Sequence, residues 1–403
     1  MQIYINDMLY ALSGALDSVE AEIFGVKSHH SERVAYLSVQ LGRALGFSEQ
    51  QLLNLAAAAV LHDNALTEYI SVKRQMDTSS ATLLPSAELL KIHCDMGEEN
   101  AKILPFYPQI KHAILYHHEN ANGTGPNGLK SADTPIFAQI IHLSDQLDNA
   151  FILDDVDAKK HLEIHDYVDN QAGLLFAPEL CNKFHALFPE AGKKALYEEN
   201  ARLLLRSNLP HNPQEYNNEA IKGLATMFAK IVDYKSHFTC THSLGIAAKA
   251  RRLGEFYGYD AATCTKLYLA GALHDIGKLR ISNSILEKPD SLTKEEFTIM
   301  KGHALASWQI LKQIDGLNDV INWACLHHEK LDGSGYPFGK KAPDLDKNAR
   351  LLACVDIYQA LTEDRPYRQG MTHEQALTIL RDMSAKGFID TQITEDIDHC
   401  FAA

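Results

Sequence analysis

Paired cysteines are missing from this chain. The seven at Cys94, Cys181, Cys240, Cys264, Cys325, Cys354 and Cys400 are odd in number, and none stands at C-x-x-C spacing. That excludes a disulfide framework and a zinc-finger site and fits a reducing compartment. Long apolar runs are missing too. The longest, around Leu52 to Leu61, falls short of the roughly 20 residues that span a bilayer. The opening MQIYINDMLYALSG lacks the basic start of a secretory signal, so a cytoplasmic protein without a membrane partner is expected. Positive charge is scarce: Lys and Arg number 38 against 52 Asp and Glu, a formal net charge of −14. DNA and RNA polymers are therefore poor partners, and an anionic ligand would need a locally positive pocket. Clear alternating strands are absent as well. The plentiful residue is histidine, 20 in all, and the histidines fall in a pattern.

That pattern is an internal repeat. Leu61-His62-Asp63 recurs as Leu273-His274-Asp275, His30 as His242, and Gly46-Phe47-Ser48 as Gly258-Tyr259-Asp260, all at an offset of 212. His93 maps to His303 and Tyr116-His117-His118-Glu119 to Leu326-His327-His328-Glu329 at 210, and Asp145 to Asp356 at 211. Shared order with near-constant offset identifies a tandem duplication whose copies meet near Leu209-Pro210-His211-Asn212-Pro213.

Both copies read as helical. Apolar residues recur at three- and four-residue steps through 35–45, 52–61, 221–232, 261–273 and 374–383. Ser48…Gln51, Thr293…Glu296 and Thr372…Gln375 have capping-box form. Gly and Pro gather at 122–135 and 332–343, in loops that follow the His-His pairs, and 190–209 reads as a connecting helix. The expected fold is all-α: tandem helical domains over residues 1–205 and 218–403 with a linker at 206–217.

In the second copy His242, His274, Asp275, His303, His327, His328 and Asp356 form a donor set suited to first-row transition metals. Seven groups exceed what one tetrahedral ion takes. Two ions sharing Asp275 would use them all, with His242, His274 and Asp356 on one and His303, His327 and His328 on the other. Such a pair activates water and clamps phosphoryl oxygens, the chemistry of phosphoester hydrolysis. A lone helical histidine is more often packed than ligating; the ordered recurrence of the whole set favours the metal.

His274-Asp275-Ile276-Gly277-Lys278, His327-His328-Glu329-Lys330-Leu331-Asp332-Gly333-Ser334-Gly335-Tyr336-Pro337 and Arg365-Pro366-Tyr367-Arg368 resemble the signature of the HD-GYP family over about residues 235–370. The resemblance implies an all-helical HD-type fold and a metal-dependent phosphodiesterase. That enzyme would open a 3′,5′-phosphodiester of a cyclic dinucleotide second messenger, cyclic di-GMP or 3′,3′-cyclic GMP–AMP, to a linear 5′-phosphorylated dinucleotide. It implies iron or manganese as cofactor. Phe238, where some members carry a glutamate for a third metal, implies a two-metal site. By the same resemblance Asp275 and Lys278 are catalytic, and Lys278, Tyr336, Arg365 and Arg368 bind substrate. Glu329 would support the site without ligating metal. Gly245 stands where the family often has arginine, as Arg33 follows His30, and a packing change is expected there.

The first copy keeps His30, His62, Asp63, His93, His117, His118 and Asp145, a second potential metal set. It has Leu66 at the place of Lys278, Pro126 at the place of Tyr336, and Asp154 and Asp157 at the two arginine places. Carboxylates there would repel a phosphodiester, so this copy is expected to be a degenerate HD-type domain with a regulatory or structural role. Two other readings stay open: an HD-type hydrolase of other nucleotides, and a non-catalytic receptor or scaffold. No segment identifies a protein partner.

Overall fold

The computed structural model describes residues 1–24, 29–69, 87–153, 156–189, 205, 207, 209–235, 242–288, 290–364 and 369–402. Phe238, Asp154, Arg365, Arg368 and most of the connecting stretch 190–209 lie outside them. The chain divides into two compact units, Tyr4–Pro213 and Gln214–Ala403, the second including Met1–Ile3. The edges differ from the division read in the sequence. Residues up to 213 go with the first unit, and the first three residues go with the second. Strand Gln2–Ile3 pairs antiparallel with strand Gln214–Glu215, and the Met1 amino group donates to the Tyr216 carbonyl at 2.7 Å. Strands of two residues have no periodicity to read, which is why the sequence shows none. Among the described residues no helix is long and apolar enough to cross a membrane.

Each unit is built of helices, as the apolar spacing requires. All three capping boxes form. Ser48 with Gln51 opens helix Glu49–Val60, Thr293 with Glu296 opens Lys294–Leu311, and Thr372 with Gln375 opens His373–Ala385. In each, two otherwise orphaned backbone donors are satisfied reciprocally. Asp260 and Asp346 cap helices Ala261–Leu273 and Lys347–Thr362 by accepting from Thr263 and Ala349.

Close backbone approach positions the second unit's histidines. Helix Ala261–Leu273 lies so near helix His242–Phe256 that a Cβ on Gly271 would meet the Ala247 Cα at 2.7 Å. This brings the His242 and His274 rings to 5.7 Å between centroids. After His274 the chain tightens into a 3₁₀ turn, Ile276–Arg280. There the Gly277 N–H donates to Ser307 Oγ at 2.9 Å, and Ser307 Oγ donates to the His274 carbonyl at 2.9 Å. A Cβ on Gly277 would sit 2.0 Å from the His303 carbonyl oxygen. Only glycine lets helix Lys294–Leu311 press onto this turn and deliver His303. In the first unit Ala65 takes the glycine place and Gly97 the serine place, so the small residue has changed sides of the same contact.

Gly277→Ala must push helix Lys294–Leu311 away. Overpacking of this kind costs about 1–3 kcal/mol, which a thermal melt reads as a midpoint several degrees lower. An unchanged midpoint would contradict the close approach.

Candidate metal and substrate site

The second unit gathers its seven donors from three helices and from the turns that follow two more. His242 opens helix His242–Phe256, His274 and Asp275 follow helix Ala261–Leu273, and His303 lies within Lys294–Leu311. His327 and His328 follow Asn318–Cys325, and Asp356 lies within Lys347–Thr362. His242, His274 and Asp356 form one group and His303, His327 and His328 another, the donor atoms of each within 4.8 Å of one another. Asp275 stands between them: its Oδ2 is 3.0 Å from His274 Nε2, its Oδ1 3.3 Å from His303 Nε2 and 3.9 Å from His327 Nε2. Asp356 is 3.5 Å from His242 Nε2 and 3.8 Å from His328 Nδ1.

The tautomers are set from behind. Nδ1 of His274, His303 and His327 donates to the carbonyls of Gly271, Met300 and Ala324, each three residues earlier, at 2.6–2.8 Å. The lone pair is thereby left on Nε2. Those three Nε2 atoms and Asp275 Oδ1 are buried without a hydrogen-bond partner. Unsatisfied buried polar atoms are rare because each costs its lost hydration. Four aimed at one centre fit a divalent metal, so the residues present suit the ion the sequence implied.

Charge agrees. Burial favours the neutral acid at Asp275, yet His274, Lys278 and His303 hold its carboxyl well below the usual range. Burial pushes His328 down to about 4 and depresses His327 and His303, so these rings are neutral with lone pairs available. Burial also opposes charge on His242, but hydrogen bonds with Asp356 and Glu363 carry it up to about 9. Lys278 is desolvated too, and Asp275, 2.5 Å from its Nζ, nevertheless raises it. The lysine stays charged beside Asp275. Burial raises the Tyr336 phenol further out of range, and its ring lies 4.8 Å from that of His328.

Glu329 is engaged with the glycine-rich loop. Its two oxygens accept from the Phe338 and Lys340 N–H groups at 2.7 and 2.9 Å. A Cβ on Gly335 would meet the Glu329 Cα at 2.5 Å, so the loop folds tightly over the His-His pair. Three groups near the site are not among the residues the sequence assigns to it: Glu363, which accepts from His242 Nδ1, and Gln359 and Lys249 behind it. Glu363 caps the C-terminus of helix Lys347–Thr362 seven residues after Asp356, a spacing that could have found it.

The first unit also brings its seven together. His30 Nε2 is 3.2 Å from Asp145, and Asp63 is 3.0 Å from His93 and 3.5 Å from His117. Nδ1 of His62 and of His117 donates to the backbone, and both Nε2 atoms lie buried without a partner. Cys94 adds a buried thiol 3.9 Å from His93 Nε2. The substrate-binding side is different. Leu66 packs with Tyr69 and Met96, and Asp157 caps helix Ala158–Gln171. Glu119 accepts from Asn127 and Leu129 as Glu329 does from Phe338 and Lys340. This corrects the loop alignment: Pro126 corresponds to Pro337, and the tyrosine is deleted, which accounts for the offset changing from 210 to 211.

An all-helical unit with a histidine–aspartate centre, present twice, defines an HD-type protein. The HD domain family model matches residues 19–163 and 225–393, and the chain belongs to that family. It is 29% identical to 3′3′-cGAMP-specific phosphodiesterase 1 of Vibrio cholerae, over 98% of this chain and 91% of that protein. With 3′3′-cGAMP-specific phosphodiesterase 3 of the same organism it shares 27% identity over 94% and 90%. A cyclic di-GMP phosphodiesterase of Pseudomonas aeruginosa is 33% identical over 39% of this chain and 37% of its own. The crystal structure of a cyclic GMP-AMP specific phosphodiesterase of V. cholerae superposes with a TM-score of 0.68 at 23% identity, covering 100% and 98% of the two chains, a likeness of fold.

Metal is expected to stabilise the apoprotein. At manganese(II) about a hundredfold above its dissociation constant the gain is about 2.7 kcal/mol, read as a higher melting midpoint that a chelator reverses. Asp275→Asn removes the C-terminal share. A midpoint indifferent to manganese would contradict a metal centre.

Proposed function

We propose that the C-terminal unit hydrolyses one 3′,5′-phosphodiester of a cyclic dinucleotide, giving a linear 5′-phosphorylated dinucleotide. The carrying observation is the set of buried, unpartnered Nε2 lone pairs facing Asp275 beside a charged Lys278. In this reading His242, His274 and Asp356 hold one divalent ion, His303, His327 and His328 a second, and Asp275 is shared; iron or manganese suits the donors. When bound, such a pair activates water for attack on phosphorus and polarises the phosphoryl oxygens. The chain supplies the rest. Lys278 offsets the negative charge that grows in the transition state, and Tyr336 contacts phosphate or base from the loop that Glu329 holds. Arg365 and Arg368, nine and twelve residues after Asp356, hold the phosphates.

The substrate to test first is 3′,3′-cyclic GMP–AMP, ahead of cyclic di-GMP. The relatives named for it match nearly the whole duplicated chain, whereas the cyclic di-GMP phosphodiesterase of P. aeruginosa matches 39% of it. The N-terminal unit, with leucine at the lysine place and no tyrosine, is read as a metal-holding domain that supports or regulates its neighbour.

The purified chain, loaded with iron(II) or manganese(II), is expected to convert 3′,3′-cyclic GMP–AMP to a linear product whose mass shows one added water. Asp275→Asn abolishes conversion, Asp63→Asn keeps it, and Lys278→Met lowers kcat about 10²–10³-fold, the scale for losing one transition-state contact. A metal-loaded protein that leaves both cyclic dinucleotides intact would bring the receptor reading forward.

A further inference from the structure

The two copies orient their first histidine by different means. In the N-terminal unit Asp148 Oδ2 accepts from His30 Nδ1 at 2.6 Å. Arg33 clamps the same carboxylate through Nε and Nη2 at 2.6 and 2.8 Å. Position by position the C-terminal unit has lost this arrangement: Arg33 corresponds to Gly245 and Asp148 to Gln359. Neither residue can do the old work, since glycine has no side chain and the amide carries no charge.

The lost charges reappear one helical turn further on. Lys249 follows Gly245 by four residues and Glu363 follows Gln359 by four, each on the same face of its helix. Glu363 Oε2 accepts from His242 Nδ1 at 2.8 Å and from Gln359 Nε2 at 2.9 Å. Gln359 Oε1 in turn accepts from Lys249 Nζ at 2.6 Å. The amide thus links the cation to the carboxylate. Gly245 makes room for the link, because a Cβ there would meet the Gln359 side chain at 2.5 Å. The N-terminal counterparts of Lys249 and Glu363 are Leu37 and Ile152, so the relay belongs to the C-terminal unit.

We infer that Glu363 is a positioning residue of the C-terminal centre, holding His242 with Nε2 toward Asp356, and that Gln359 and Lys249 hold Glu363. A carboxylate on the far nitrogen of a ligating imidazole fixes its tautomer and direction and raises its basicity. The inference rests on the proposed reading of this site as the metal centre. It adds that the Gly245, Gln359, Lys249 and Glu363 changes are one coordinated replacement of an arginine–aspartate clamp.

The test is titration of the full-length apoprotein with manganese(II), following free ion by electron paramagnetic resonance. Glu363→Ala is expected to weaken the C-terminal site about ten- to hundredfold. Glu363→Gln, which still accepts a hydrogen bond, weakens it less. Rebuilding the N-terminal clamp by Gly245→Arg and Gln359→Asp in the Glu363→Ala background restores affinity. Affinity unchanged in Glu363→Ala, or a folded triple variant as weak as Glu363→Ala, overturns the inference. Failure of the wild type to cut a cyclic dinucleotide would remove the substrate reading and leave this readout intact.

Discussion

A folded protein rarely buries a nitrogen lone pair with nothing to receive it, yet each unit here collects several around one aspartate. Everything else near the C-terminal centre serves that crowding. Helix carbonyls three residues back take the Nδ1 protons of His274, His303 and His327. Gly271 and Gly277 remove the bulk that would hold the helices apart. Without an ion to accept the lone pairs, this geometry is a cost with no return. That is why the metal follows from the arrangement and is not an addition to it.

Duplication lets the site be compared with itself. Both units keep the donors and the glycine-tight loop held by Glu119 or Glu329. The C-terminal unit alone has Lys278 beside its central aspartate and Tyr336 against His328. The N-terminal unit fills the lysine place with Leu66, drops the tyrosine and uses Asp157 as a helix cap. The donors themselves are common to both copies; the copies differ at the lysine and tyrosine places and in what holds the first histidine.

Much of this could be read from the sequence. The donor residues are rigid requirements of one kind of chemistry, so they survive duplication in order, and a constant offset exposes them. The capping boxes at Ser48, Thr293 and Thr372 are local and formed as written. What escaped reading was compensation out of register. Lys249 and Glu363 stand one turn away from the residues they replace, so alignment of equivalent positions sees only the losses at Gly245 and Gln359. The loss of the tyrosine reads in the sequence as a substitution for a similar reason, since Pro126 stands at its place until Glu119 shows which N–H groups it holds. The pairing of residues 2–3 with 214–215 joins segments more than 200 residues apart in the chain, which no periodicity reports.

In the proposed reading Asp275 joins two metal ions held by two distinct histidine groups. Anomalous diffraction from manganese-loaded crystals tests it most directly. Two peaks are predicted in the C-terminal unit, one ligated by His242, His274 and Asp356, the other by His303, His327 and His328, each also bonded to one Asp275 oxygen. A single peak, or two peaks that Asp275 does not bridge, would rule out a shared two-metal centre.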